Sequence, residues 1–190
     1  LKVNFVYLPN KNQIYNEKKF SKIAINKKDK ILCAKFRKGH FEGVIDIMDR
    51  LTNLIKPNKI FMGEKDFQQL YLVKKYIEKR YISKVITCKT IRSPNKIALS
   101  SRNLLLTRKE LNIAAKLAQN LIRFKKNLKN INKIKKILNQ KKIELNKKFK
   151  INVEYLELRD IFTFRESIKI SNSRIFISYY LNNIRLIDNF

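Results

Sequence analysis

Phe61-Met62-Gly63-Glu64-Lys65-Asp66-Phe67-Gln68-Gln69-Leu70 joins an apolar run, Lys59 to Met62, to a stripe of Leu70, Val73 and Ile77. Short apolar runs bounded by polar residues read as strands, and apolar residues three and four apart read as a helix facing a core. The stretch is therefore a strand-to-helix turn. Downstream, Lys84 to Ile91 returns to a β-branched run around Cys88. Upstream, Val44, Ile47, Met48, Leu51, Leu54 and Ile55 recur at helical spacing until Lys56-Pro57 stops them. This α-β-α-β order predicts a parallel sheet with crossover helices. A turn after a parallel strand lies at the carboxyl edge of the sheet, where such folds bind ligands. Gly63 lets the backbone approach a ligand, and the helix after it offers N–H groups and partial positive charge. Lys65 can neutralise phosphate oxygens, and Asp66 can accept from ribose hydroxyls or cap the helix; read alone, Gly63 to Asp66 is equally an ordinary polar turn. Gln69, three residues on, shares a helix side with Asp66.

Farther out, Val3 to Leu8 reads as a buried strand ended by Pro9-Asn10. Residues 11–30 are polar and lysine-rich, with Ile23, Ala24 and Ile25 as a short strand, and Ile31 to Ala34 reads as a short buried segment. Pro94-Asn95 punctuates the chain, which places a boundary near Ile91 and divides it into 1–91 and 92–190. Just past it, Ser100-Ser101-Arg102 supplies two hydroxyls and a guanidinium, a set that suits a polyphosphate but on its own reads first as a solvated loop before the Thr107 helix. Thr107-Arg108-Lys109-Glu110 is a capping box. It starts a helix with Leu111, Ala114, Ala115, Ala118, Leu121 and Ile122 inward. A lysine-rich helix follows, with Ile131, Ile134, Leu138 and Leu145 apolar. Val153 to Leu158, Ile175 to Leu181 and Ile184 to Ile187 read as three antiparallel strands. Beside the turn, Phe61, Phe67 and Tyr71 could stack a base, and read first as core packing.

The 190 residues are 44% hydrophobic, enough for a packed core. No apolar run approaches the ~20 residues that span a bilayer, and no secretory signal is visible. Cys33 and Cys88 are far apart and read as free thiols of a reducing cytoplasm. The formal net charge of +29 invites a polyanion partner. The lysines, however, are spread along a chain rich in Asn and Ile, and pairs such as Lys125-Lys126 and Lys147-Lys148 interleave with one apolar stripe. Compositional drift is the better account. A basic, non-catalytic nucleic-acid-binding protein is kept as the alternative.

Gly63 to Leu70 resembles the signature of the pantothenate synthetase (pantoate–β-alanine ligase) family. Arg37-Lys38-Gly39-His40-Phe41-Glu42-Gly43-Val44 resembles a second family segment, and Ala98-Leu99-Ser100-Ser101-Arg102-Asn103 its second ATP motif. Val153 to Leu158 and Arg185-Leu186-Ile187-Asp188-Asn189 resemble its C-terminal strands. The resemblance implies a nucleotidylyltransferase-type, Rossmann-like α/β fold with a small α+β C-terminal lid. It implies a cytoplasmic, AMP-forming ligase: pantoate attacks the α-phosphorus of MgATP, and β-alanine then attacks the pantoyl adenylate. It also implies a homodimer. Gly63, Glu64, Lys65 and Asp66 form the ATP turn, with Gly63 and Asp66 at the ribose and Lys65 at the phosphates. Ser100, Ser101 and Arg102 bind phosphates from the lid, beside the Leu99 backbone. Ile91 offers backbone atoms to adenine, Gln69 bonds pantoate, and Lys65 and Arg102 carry the catalysis. Arg37 lies near the active site, Tyr15 matches a tyrosine near the pantoate pocket or is a surface anchor, and His40 is structural. A related ligase for another acid is the further alternative, which Gln69 argues against.

Departures stand beside these matches. Lys38 replaces a proline, Cys33-Ala34 an expected Glu-Gly, and Asn95-Lys96 an Asp-Gly at the lid hinge. The family's opening His-x-Gly-His segment has no counterpart, and the chain starts at Leu1. It reads as the later two-thirds of such an enzyme, from a partial record or a decayed gene, with little or no ligase activity expected alone.

Overall fold

The computed structural model describes residues 2–15, 23–128 and 133–190; the predicted core position Ile131 lies outside them. The chain forms two compact units, Leu1–Met62 with Gln68–Thr87, and Gly63–Phe67 with Cys88–Phe190.

The first unit contains α1 (Lys11–Tyr15), α2 (Cys33–Phe36), α3 (His40–Ile55), most of β1 (Lys59–Gly63) and α4 (Phe67–Arg80), and the start of β2 (Lys84–Cys88). β1 and β2 are neighbours in a two-stranded sheet. The Lys84 N–H donates to the Asn58 carbonyl at 2.9 Å, so both strands start at the same end and run parallel, with α4 as the crossover. The buried stripe of α4, Leu70, Val73 and Ile77, is the predicted one, joined by Leu72.

Three expectations need correction here. Val3 to Leu8 is no strand: its apolar side chains are exposed, Phe5 at 95%. A strand needs a neighbour for its N–H and C=O groups, and among the described residues none pairs with it. Ile23 to Ile25 forms no strand either, although Ile25 is buried. In α3 the buried line is Phe41, Ile45, Asp49 and Thr52, while Val44, Ile47, Met48 and Leu51 are half-buried and Leu54 and Ile55 exposed. Two polar residues hold core positions because both are satisfied. The Tyr81 hydroxyl donates to the Asp49 carboxylate at 3.0 Å, Arg80 pairs with it at 3.2 Å, and the Thr52 hydroxyl donates to the Met48 carbonyl at 2.6 Å. Of the expected buried segment Ile31 to Ala34, Leu32, Cys33 and Ala34 are buried and Ile31 half-buried, and it ends in the single turn of α2.

The second unit contains α5 (Arg108–Asn127), α6 (Ile134–Phe149), β3 (Asn152–Asp160), β4 (Ser173–Leu181) and β5 (Ile184–Asn189). The strands form one antiparallel sheet in the order β3-β4-β5, with Leu158 opposite Ile175 and Leu181 opposite Ile184. Asn182 turns the last hairpin at φ +50, a conformation asparagine tolerates. Leu117 and Leu121 of α5, Leu145 of α6, and Val153, Ile175 and Ile177 of the sheet are almost fully buried in one core.

The predicted capping box opens α5. The Thr107 hydroxyl accepts from the Glu110 N–H at 3.3 Å, and the Glu110 carboxylate accepts from the Thr107 N–H at 2.8 Å. The Thr107 side chain and backbone, helped by Asn182, hold the Glu110 carboxyl below its ordinary value, against a desolvation that works the other way. Thr107→Ala should cost the unit about 1 kcal/mol in urea unfolding. A depressed carboxylate stabilises above its unfolded value and loses that contribution as pH falls through the folded one. The gap between wild type and variant should therefore shrink on acidification.

Candidate functional site

Gly63 ends β1 at φ −75 and ψ 135, and Glu64–Asp66 follow as a single 3-10 turn. Phe67 anchors the turn in the second unit's core, its ring 5.5 Å from Phe176 and 6.0 Å from Phe164. The Arg174 guanidinium lies 5.0 Å from the Phe67 ring centroid and donates to the Glu64 carboxylate at 2.8 Å and to Asn189 Oδ1 at 2.9 Å. The buried Asn189 amide donates in turn to the carbonyls of Glu64 (2.8 Å) and Lys65 (3.1 Å). Arg92 holds the end of β5 through two 2.8 Å bonds to the Asp188 carboxylate and one of 2.9 Å to the Asn189 carbonyl. The turn's backbone is thus fixed by side chains of its own unit. Among the described residues, Lys65 and Asp66 make no ion pair.

The second motif is presented by a tight hairpin. The Leu99 N–H donates to the Ile91 carbonyl, the Ser93 N–H to Ile97, and the Lys96 N–H to Ser93. Lys96 takes φ +76, the left-handed conformation that glycine adopts without steric cost. The Asn95-Lys96 departure therefore carries strain, and Lys96→Gly should stabilise the unit by about 1 kcal/mol in urea unfolding. Beyond the hairpin, Ser100 Oγ accepts from the Arg102 N–H at 3.3 Å, and the Asn103 amide donates to the Ala98 carbonyl at 3.0 Å.

Lys65, Ser100, Arg102 and Asn103 line one crevice, which Tyr179 and Asp188 also wall. It holds only about 20 Å³, and Lys65 and Arg102 are half-buried beside it. Burial, and then the Asp188 charge, push the Tyr179 hydroxyl well above its usual value, so it stays protonated at neutral pH. Arg92 already satisfies Asp188, which leaves the crevice positive in balance.

The other expected site residues are placed as follows. Gly63 and Asp66 are exposed on the turn. Glu64 faces Arg174 instead of the crevice. Ser101, Leu99 and Ile91 are exposed near it without lining it, and the Ile91 carbonyl is already engaged by Leu99. Gln69 is half-buried on α4 in the first unit, next to Gln68, whose amide donates to the Ile31 carbonyl at 2.7 Å. His40 opens α3 with its ring 4.9 Å from that of Phe41, and Tyr15 lies under the Arg50 guanidinium at 4.8 Å. Arg37 closes α2. Of the aromatics expected in the core only Phe67 is buried; Tyr71 is half-buried, and Phe61 is 66% exposed. Sequence reasoning gave no role to Arg92, Arg174, Asp188 and Asn189. The available signal was an Asp-Asn pair closing an apolar strand, where polar side chains must find partners.

Where a Cβ at Gly63 would sit, nothing lies within 4 Å. Neither φ nor packing demands glycine here. Gly63→Ala should leave urea stability unchanged within about 0.5 kcal/mol and weaken ATP binding if a nucleotide occupies that space.

Among the described residues, no three His, Cys, Asp or Glu side chains stand together as a metal site, and no helix is long and apolar enough to cross a membrane. The model of the pantoate-beta-alanine ligase family matches residues 1–190. The chain is 35% identical over 194 residues to a pantothenate synthetase of Clostridium botulinum (99% of this chain, 68% of that protein). It is 36% identical over 191 residues to one of Flavobacterium psychrophilum (97% and 67%). The crystal structure of the pantoate-beta-alanine ligase of Francisella tularensis, complexed with beta-gamma ATP and beta-alanine, matches with TM-score 0.71 and 31% identity (94% of this chain, 61% of that one). Pantothenate synthetase of Thermus thermophilus matches with TM-score 0.77 at 23% identity, which supports the fold. These matches favour neither the nucleic-acid reading nor a ligase for another acid.

Proposed function

The chain belongs to the pantoate-beta-alanine ligase family, and from that premise we propose that it serves an ATP-dependent, AMP-forming ligase reaction that joins pantoate to β-alanine. One observation supports this most: the turn cation Lys65 and the hairpin groups Ser100 and Arg102 line a single crevice. In this reading Lys65 and Arg102 hold the phosphates and neutralise charge that grows on the pyrophosphate leaving group, the electrostatic task at such a centre. Ser100 and Ser101 donate to phosphate oxygens, the exposed Gly63 and Asp66 meet the ribose, and the backbones of Ile91 and Leu99 flank the base. Glu64 acts through its bond to Arg174 by holding the turn. Gln69 takes pantoate. The second unit serves as the lid.

Mg²⁺, when bound, would offset phosphate charge. It would arrive on the triphosphate and keep several of its waters. A homodimer and a cytoplasmic setting belong to the same proposal.

Isothermal titration of MgATP into the chain, with and without pantoate, tests the reading. Saturable binding at one site, tighter than that of inorganic triphosphate, is the expected result. Equal affinity for the two would remove the adenosine half of the site, and no binding would remove the site altogether.

A further inference from the structure

Tyr179 is a core residue with one polar atom unspent. On β4 it lies opposite Leu186 of β5 and Val153 of β3, and it is only 5% exposed in the second unit's core. A buried tyrosine hydroxyl ordinarily finds a hydrogen-bond partner. This one makes no hydrogen bond among the described residues. Nor is it sealed in: the closed-off orphan atoms are Gln68 Oε1, Thr90 Oγ1, Asn120 Oδ1 and Ser178 Oγ, and the Tyr179 oxygen is not one of them. Tyr179 lines the crevice, on a wall shared with Lys65, Ser100 and Arg102.

The groups around it say what the hydroxyl suits. Asp188 is the one carboxylate lining the crevice, and its charge bears on the hydroxyl, so the hydroxyl end of the side chain lies on the crevice side. That carboxylate is already engaged. It accepts from two Arg92 nitrogens at 2.8 Å and from the Asn189 N–H at 2.7 Å. Burial and the Asp188 charge keep the phenol protonated, so it is a donor beside two cations. A phenol, an ammonium and a guanidinium around one opening suit an anionic oxygen. The opening holds about 20 Å³, room for one water-sized group, which needs roughly 10–15 Å³. The chain's excess of lysine has no bearing on a buried phenol without a partner.

We infer that the Tyr179 hydroxyl donates a hydrogen bond to a phosphate oxygen of the nucleotide held in this crevice, which makes Tyr179 a further substrate-binding residue. The inference rests on the ATP reading above and adds one contact to it. Core packing fixes the ring before the ligand arrives, so little freedom is lost when the bond forms.

Tyr179→Phe deletes the oxygen and keeps the ring. Calorimetric titration of MgATP and of inorganic triphosphate into the full chain, beside Arg102→Ala, reads binding, and urea unfolding without ligand reads the fold. Both affinities should fall about tenfold in Tyr179→Phe, as for one hydrogen bond to a charged acceptor. The urea midpoint should hold or rise, because no bond within the fold is lost. Full affinity for both ligands in Tyr179→Phe, with Arg102→Ala still weakened, would remove Tyr179 and leave the ATP reading standing. A lower urea midpoint would show that the hydroxyl already has a partner in the fold and is structural. Loss for MgATP alone would move the contact to the nucleoside half and overturn the inference. A wild-type chain that binds neither ligand would remove the ATP reading and this inference with it.

Discussion

Replacing Arg102 by alanine is expected to weaken ATP binding by one to two orders of magnitude while leaving the fold intact. Hydrogen bonds to charged partners contribute roughly 2 kcal/mol each, and about 1.4 kcal/mol is a factor of ten in affinity. Arg102 is half-buried and makes no ion pair among the described residues, so its removal leaves no opposite charge stranded. Lys65→Ala should behave alike, because its ammonium lines the same crevice. Arg102→Lys should recover part of the loss: the charge returns, but the planar fork that fits two phosphate oxygens does not. Lys147→Ala, far along α6, serves as the control for net charge. Calorimetry at physiological salt reads all four. Equal affinities in wild type, Arg102→Ala and Lys65→Ala would sink the site assignment.

Asp188→Ala is expected to be the most damaging substitution for stability, costing about 3 kcal/mol. Its carboxylate takes both Arg92 nitrogens at 2.8 Å and accepts from the Asn189 N–H at 2.7 Å, and the Asp188 and Arg92 side chains are only 10% and 20% exposed. Removing one partner of such a pair leaves a cation poorly solvated, and the penalty exceeds what the pair contributes when intact. The loss also leaves Arg92 tied to the end of β5 only through the Asn189 carbonyl, beside the amide that holds the Glu64–Asp66 turn. Urea unfolding followed by far-ultraviolet circular dichroism should show the drop, with Asp188→Asn intermediate because it can still accept a hydrogen bond. A cost under about 1 kcal/mol would mean that the pair is solvated like an ordinary surface bridge.

Much of this was legible in the chain because local chemistry and tertiary need agreed. The capping box at Thr107 and Glu110 fixes the start of α5 whatever surrounds it. The apolar runs Val153 to Leu158 and Ile175 to Leu181 form strands because each has a neighbour to pair with. Where a neighbour was required and absent among the described residues, as at Val3 to Leu8, the same pattern gave exposed chain. The α3 error has another cause: Asp49 and Thr52 reach the core through partners more than thirty residues away or one helical turn back, and hydropathy cannot register a partner. Lys65 and Arg102 stood out because the runs that hold them, Gly63 to Leu70 and Ala98 to Asn103, resemble family motifs; a charged turn by itself is ordinary solvated surface. The residues that hold the turn did not stand out. Arg174 and Asn189 lie more than one hundred residues from Glu64 in sequence, and only folding shows that they meet.

The clamp formed by Asn189 has a practical consequence for how this chain is handled. Exchanging Asn189 for alanine would delete the amide gripping the Glu64 and Lys65 carbonyls while sparing every helix. Such a variant would look healthy by helical content yet carry a turn with its backbone untethered, so a secondary-structure spectrum alone is no quality check for preparations of this protein.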